Sequence, residues 1–524
     1  MKQLLIPAIV CILFAFSGCK KDVPPEPKFL NIHKATSALK GEVDSKDTIY
    51  VTSNDQWVIT MESGVDWLSV EPMSGNGDGM IIISTILQNN STSLRATNVE
   101  IKMVTGSDSH LITVIQLQFN NILLNAIFGG DGNDAFVDFT TAPGGGYIAV
   151  GTSASTKGDG TGAKGGPDIW IVKINSNGEK VWHKKFGGTL EDVANTIVRT
   201  SSNNYIVLGS TLSSDGDISA HKGQRDAWLF SIDGNGDLLW ERSIGGSNDE
   251  QLYNIKSSAD GNYLMSGYTY SSDGDVTSNH GAADAWIVKV NPQGDIIEER
   301  TYGGSNEDVA YDAIPVSDGG YIFCGKLASI DGDAADRISG SFSAWFVKLN
   351  SAGAIGGKVY LGESDYEYGT VALEAANGDY VFAGETNTPG EFDNFHGGRD
   401  AFVLRLDGSG NVVWKKAFGG SMRDEPADLI ETDDGNFVFA GLTVSNDGDI
   451  TQLLGGEDAW IMKLNGDGNI ITNANTGGAD NDNIFKIKQL GNNNFAFAGF
   501  TDSFDDTYTD LPDGMHGWFQ IIQF

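Results

Sequence analysis

Positive charge is scarce in this 524-residue chain, where 34 Lys and Arg stand against 70 Asp and Glu for a formal net charge of −36. Such a surface repels phosphate backbones and anionic headgroups, which excludes nucleic acid and leaves neutral, cationic or metal-ion partners. Cysteine is scarcer still, limited to Cys11, Cys19 and Cys324. Cys324 stands alone in the apolar run Tyr321-Ile322-Phe323-Cys324, so no intramolecular disulfide is expected and the thiol reads as a small core group. Proline is held to 12 residues, and the only long apolar run, residues 4–16, is too short for a stable membrane-spanning helix. The seven histidines are scattered without metal-ligand spacing, and neither a nucleophile elbow nor a phosphate loop is present, so no enzyme class is singled out.

Glycine is abundant, at 68 residues, and with 10% aromatics it describes many short strands joined by tight turns. The first residues join Lys2 to the apolar run and close on Ser17-Gly18-Cys19, the form of a secretory signal. That ending resembles the bacterial lipobox, which implies cleavage before Cys19 and lipidation of Cys19 at its thiol and new amino terminus. Two or more acyl chains anchor stably, so membrane contact is expected through lipid alone. The expected order begins with a signal peptide over 1–18 and a lipidated tether over 19–28, carrying Lys20-Lys21-Asp22 and Val23-Pro24-Pro25-Glu26-Pro27. Surface lipoproteins of the Bacteroidota often carry acidic residues after this Cys. Asp22 and Glu26 fit that habit, which implies outer-membrane anchoring with cell-surface exposure.

Residues 29–118 offer short runs separated by turn residues: 48–51, 57–59, 67–70, 80–83, 99–101 and 112–115. These predict an immunoglobulin-like β-sandwich. Ser53-Asn54-Asp55-Gln56-Trp57, the segment Asp66-Trp67-Leu68-Ser69-Val70-Glu71-Pro72, Arg95 and Val114-Ile115-Gln116 resemble the BACON domain. The resemblance implies carbohydrate binding, for which Trp57 and Trp67 are the obvious platforms. Both sit inside apolar strand patterns and read as core, which makes the segment a spacer.

From residue 120 to 524 one pattern recurs seven times. Phe-Gly-Gly and its variants start at Phe128, Phe186, Ile244, Tyr302, Leu361, Phe418 and Thr476, at intervals of 57 to 59. An aromatic recurs in step at Trp170, Trp228, Trp286, Trp345, Phe402, Trp460 and Trp518. Each unit reads as four strands; in the second they are 193–200, 205–210, 228–232 and 238–243, with Asp233-Gly234-Asn235-Gly236 turning between the last two. Four strands and seven units predict a seven-bladed β-propeller, and the pattern resembles the SBBP repeats of bacterial surface proteins. The seventh unit lacks a fourth strand at the C-terminus, whereas residues 122–128 form an orphan strand before the first unit, so the two are expected to pair and close the ring.

Six residues after the start of each Phe-Gly-Gly segment stands a carboxylate: Asp134, Asp192, Glu250, Asp308, Glu367, Asp424 and Asp482. These predict an axial acidic ring, either a cation or ligand site or a set of acids fixing turns through backbone N–H groups. A calcium alternative lies in the Asp-Gly-Asp loops, with Asp215, Asp217 and Asp226, Asp273, Asp275 and Asp284, and Asp447, Asp449 and Asp458 at identical spacing. Lys157 and Ser343 break that set in other units. Aromatics outside the repeat, Tyr366, Phe392, Phe395, Phe504 and Tyr508, are candidates for a glycan platform. The reading is an all-β, monomeric, non-enzymatic surface lipoprotein that binds glycan or a surface protein, with calcium the one candidate cofactor. The alternatives are a polysaccharide-acting glycosidase or lyase on the acidic face, or a purely structural adhesin or scaffold.

Overall fold

The computed structural model describes residues 28–39, 45–87, 95–116, 121–337, 342–362, 367–450, 453–491, 493–503, 512 and 514–523. The signal segment, Cys19, and candidates Tyr366, Phe504 and Tyr508 lie outside them. The described residues form an all-β protein whose only helical elements are the three-residue 3-10 turns Gly158–Gly160 and Gly332–Ala334. No helix among them is long and apolar enough to cross a membrane. The chain divides into two compact units, with the boundary at about residue 115.

The first unit contains two sheets. One orders Leu30–Ile32, Lys46–Ser53, Gly79–Thr85 and Leu68–Glu71; the other orders Thr36–Leu39, Ser109–Gln116, Arg95–Met103, Gln56–Met61 and Ser74–Asn76. Ile49, Val51, Ile81 and Ile83 of the first sheet share one core with Ile59, Val99, Ile101, Ile112 and Val114 of the second. Strand alternation decides which side of the run Met80-Ile81-Ile82-Ile83 is inside: Ile81 and Ile83 are buried, Met80 and Ile82 exposed. Trp57 and Trp67 are core residues, and the Trp57 indole N–H donates to the Gly77 carbonyl at 2.9 Å.

The second unit consists of seven four-stranded antiparallel sheets. Their first strands are Asp134–Thr141, Asp192–Arg199, Glu250–Ser257, Asp308–Pro315, Tyr368–Glu374, Asp424–Glu431 and Asp482–Gly491. In the second sheet the remaining strands are Tyr205–Thr211, Asp226–Ile232 and Leu238–Ile244, in sequence order. First strands of consecutive sheets touch, and Asp134–Thr141 also touches Asp482–Gly491, so the first strands are innermost. The seventh sheet takes its outer strand from the other end of the unit: Asn121–Phe128 pairs antiparallel with His516–Gln523. This arrangement is consistent with a β-propeller.

Two constraints recur in every sheet. The repeated aromatics are clamped between neighbouring sheets, with Trp170, Trp228, Trp286, Trp345, Phe402 and Trp460 wholly buried and Phe136 stacked on Trp170 at 4.8 Å. Truncating one such ring to Ala costs about 3–5 kcal/mol. Each first strand also carries a β-bulge at its third or fourth residue, which thrusts a backbone carbonyl under a glycine of the second strand. A Cβ on Gly209 would strike the Val193 carbonyl, and one on Gly151 that of Ala135.

Beyond the bulges an ionic network links the innermost strands. Asp138 accepts from Thr196 Oγ1 at 2.7 Å and the Ile197 N–H at 3.0 Å in the next sheet, and from Lys488 Nζ of the seventh sheet at 3.0 Å. Asp428 accepts from Lys486 Nζ at 2.9 Å and the Ile487 N–H at 3.0 Å, and Asp312 from the Ala372 N–H at 3.0 Å. Removing one buried partner strands the others. Asp138→Ala is therefore expected to destabilise this unit by about 3 kcal/mol in chemical denaturation, a larger loss than for Asp237→Ala, which exposes no buried donor. Equal losses in the two variants would show that the network does not hold the innermost strands together.

Candidate binding site at the axial mouth

The seven acids of the sequence-predicted ring sit where each chain turns into an innermost strand, and all seven are buried. Most of their oxygens accept hydrogen bonds, although Asp192 Oδ1 is buried without a partner. Asp192 Oδ2 accepts the Gly188 N–H at 2.7 Å and Ser213 Oγ at 3.0 Å. Asp308 accepts the Gly304 and Ala328 N–H groups, both the N–H and Oγ of Ser329, all within 3.0 Å. Asp134, Asp424 and Asp482 each bind the second glycine's N–H and two hydroxyls; Glu250 uses its longer arm to reach Gly246 N–H, Thr269 Oγ1 and Ser271 N–H, and Glu367 takes Thr386 and Thr388 hydroxyls. Six of the seven, all but Glu367, tie the Gly-Gly turn to the end of the second strand. The ring does not converge on a shared point.

The Asp-Gly-Asp acids clasp the same turn from outside. Asp215 Oδ1 accepts the Thr189 N–H at 2.8 Å and Asp217 Oδ2 the Gly187 N–H at 3.1 Å. Asp273 and Asp275, and Asp447 and Asp449, repeat these bonds to Ser247 and Gly245 and to Ser421 and Gly419. In the first sheet, where Lys157 replaces the first acid, the roles reverse: Asp131 of the turn accepts the loop N–H groups of Thr156 and Lys157 at 2.7 and 2.9 Å. Asp226, Asp284 and Asp458 begin third strands, fully buried, and receive the N–H groups of Lys222, His280 and Leu454. Asp400 likewise receives His396 N–H. No group of three or more His, Cys, Asp or Glu among the described residues is placed to hold a metal ion. His221, His280 and His396 each lie beside the buried acid of their own sheet.

Of the aromatic candidates, Phe392 is 4% exposed and stacks on Phe402 at 4.6 Å, and Phe395 packs on the same core. The structure instead gathers aromatics that the sequence reading passed over. The bulge residues Val137, Asn195, Tyr253, Tyr311, Thr370, Ala427 and Phe485 remain half-buried although they lie on innermost strands, so the axis is open to water. Tyr253 lies 5.2 Å from Tyr311 and 6.1 Å from Tyr268, which lies 5.7 Å from Tyr270; Tyr270 is 40% exposed. Phe485 and Phe500, at 5.9 Å, form a second aromatic pair in the seventh sheet. The signal was in the alignment of the repeats: tyrosine breaks a column otherwise filled by Val, Asn, Thr, Ala and Phe.

Charged residues rim this mouth in pairs. Arg225 reaches Glu191 at 2.8 Å and Lys326 reaches Glu307 at 2.8 Å. Arg399 bridges Glu385 at 3.0 Å and Glu425 at 3.2 Å, and Arg423 reaches Glu425 at 3.4 Å and also Glu457. Burial, with Glu425 adding to it, pushes Glu385 up to about 7. Burial and then the neighbouring tyrosines raise Tyr253; burial takes Tyr311 to about 12, so these phenols stay protonated as donors.

Residues 57–117 match the family described as "BACON: Putative binding domain, N-terminal". No curated protein matches the chain. Among solved structures, a GH5 xyloglucanase from Bacteroides ovatus in complex with a heptasaccharide is similar over 22% of this chain and 29% of its own, at 16% identity and a TM-score of 0.16. A puromycin hydrolase is similar over 89% of this chain and 58% of its own, at 13% identity and a TM-score of 0.39. The chain thus spans less than two thirds of either.

Burial also sets the pH response of the second unit. It pushes Asp400 up to about 8, Asp458 to about 7 and Asp482 to about 6, each helped by a neighbouring acid. A raised carboxyl contributes stability that is complete below its unfolded value, near 4, and lost as pH rises through the folded one. Turn acids such as Asp407 and Asp447 are shifted down by the N–H groups they accept, and their contribution is lost below about pH 4. The thermal midpoint is expected to peak near pH 4 and to fall from there to about pH 8, where the last of these carboxyls ionises in the folded chain. Asp400→Asn should raise the midpoint at pH 8.5 while changing it little at pH 5; the opposite order would refute the assignment.

Proposed function

We propose that the chain is a non-enzymatic surface lipoprotein in which an immunoglobulin-like sandwich displays a seven-bladed β-propeller that binds glycan or a protein partner at its axial mouth. The lipobox-like Ser17-Gly18-Cys19 supports anchoring through Cys19, and the acidic tether supports placement on the outer face of an outer membrane of Bacteroidota type. Seven four-stranded sheets, with Asn121–Phe128 completing the last, support a closed ring of seven blades. One observation carries the binding reading: the ring carboxylates accept hydrogen bonds within their own sheets, whereas the residues that break the repeat gather as tyrosines and paired charges around one mouth.

The test is retention of glycans and of outer-membrane proteins by the full chain and by Tyr253→Ala and Arg423→Ala. Both variants are expected to lose about tenfold or more in affinity, and Tyr50→Ala on the sandwich to lose none. Retention untouched by either mouth variant would overturn the assignment.

A second reading has its own observation. Glu385, whose carboxyl burial raises to about 7, is bridged by Arg399 to Glu425, which sets a raised acid beside a second carboxyl, the pairing a glycosidase uses. Release of reducing ends from polysaccharide by the full chain, lost by about 100-fold or more in Glu385→Gln, would establish this reading over the binding one. No release over a broad polysaccharide panel would eliminate it.

A further inference from the structure

We infer that the ligand of the axial mouth is a neutral saccharide, its ring face laid on the wall formed by Tyr253, Tyr268, Tyr270 and Tyr311 and its hydroxyls shared among the paired charges of the rim. This rests on the binding reading and narrows it to one ligand chemistry.

The wall is the first reason. The aromatics that recur at the head of the third strands are clamped between sheets and out of water, as Trp228, Trp286 and Phe402 are. The four tyrosines instead stand on or beside two consecutive innermost strands, half-buried or exposed, with centroids 5.2 to 6.1 Å apart. Rings that keep part of their surface in water, Tyr270 most of all at 40%, offer the C–H face of a pyranose what it lacks in water, and phenol groups at their edges offer hydrogen bonds. Tyr268 Oη already shows the polar side of this arrangement, donating to Asp249 at 3.2 Å.

The rim is the second reason, because it discriminates by charge. Six carboxylates, Glu191, Asp249, Glu307, Glu385, Glu425 and Glu457, surround four cations, Arg225, Lys326, Arg399 and Arg423, and each cation lies within 4 Å of at least one of the acids. An anionic ligand would meet carboxylates in excess and find every cation engaged. A cationic ligand would have to take a carboxylate from its Arg or Lys. A hydroxyl both donates and accepts, so it can join a carboxylate–guanidinium pair without displacing either member. Raised phenols keep the donors of the wall constant across physiological pH.

The experiment is calorimetric titration of the full chain with cellohexaose, xylohexaose and mannohexaose as neutral probes, hexagalacturonate as an anionic one and the chitosan hexamer as a cationic one. At least one neutral hexasaccharide is expected to bind, with affinity changed by less than about twofold between about 50 and 500 mM salt. Tyr253→Ala should weaken it about tenfold or more, and Tyr311→Phe, which keeps the ring and removes only the hydroxyl, about two- to fivefold. Tyr270→Ala, at the exposed edge of the wall, gives the same readout should Tyr253→Ala unfold. Preference for hexagalacturonate or the chitosan hexamer, a steep salt dependence, or neutral binding indifferent to all three variants would overturn the inference. Capture of a protein partner through Arg423 with no saccharide bound would also overturn it, while leaving the broader binding reading in place.

Discussion

The second unit depends on one recurring interaction: a buried carboxylate that in six of the seven sheets accepts hydrogen bonds both from the turn before the innermost strand and from the end of the strand beside it. Asp192 does this for Gly188 and Ser213, and Asp308 for Gly304, Ala328 and Ser329. A buried carboxylate without such partners would be costly enough to protonate or to unfold the turn. With them, it fixes where the chain leaves one sheet and enters the next. The first glycine of the turn has to be glycine for the same reason, since at Gly187 the backbone is at φ +156° and a Cβ would collide with Asp168 and Asp192. The outer clasp from Asp215 and Asp217 closes the turn from the other side, and its reversal through Asp131 in the first sheet shows that the bonds, rather than the residue positions, are what the fold requires.

This constraint separates architecture from activity. Residues that recur in all units hold turns, fill the space between sheets or make room for a bulge, although single carboxylate oxygens of Asp168, Asp192, Asp226, Asp284 and Asp400 are buried without a hydrogen-bond partner. Chemistry then falls to positions where the units differ. Those positions converge because the first strands are innermost: a substitution in the column of Val137, Asn195 and Thr370 projects toward the axis in whichever sheet it occurs. Tyr253 and Tyr311 occupy that column in neighbouring sheets, and the rim acids Asp249 and Glu307 stand four residues before them.

Much of the fold was legible in the chain. The spacing of 57 to 59 residues gave the number of units, and the strands expected at 205–210 and 238–243 differ from Tyr205–Thr211 and Leu238–Ile244 only at their ends. The orphan strand before the first unit was visible because the last unit lacked one. The site was less legible. Phe392 reads as a loop aromatic outside the repeat, yet tertiary packing lays it on Phe402, whereas Tyr253 and Tyr311 lie inside a strand pattern and read as ordinary strand aromatics. Periodicity says that a side chain alternates between faces. It does not say which face meets an open axis, and the bulge, which changes the alternation partway along each first strand, leaves no unique mark in composition.

The sequence by itself determined the repeat, the four-strand unit, the acid at the head of every first strand, the excess of negative charge and the lipobox-like N-terminus, because each is a matter of residue type at a fixed spacing. Only the tertiary structure decided what those acids do, since a carboxylate beside a Gly-Gly turn is equally a cation ligand or a backbone acceptor until the hydroxyls and N–H groups of another strand are placed around it. It also decided that Lys488 meets Asp138 across 350 residues and that tyrosines from separate units form one wall. Contacts between one sheet and the next depend on how distant strands are brought together, a proximity that no local spacing encodes.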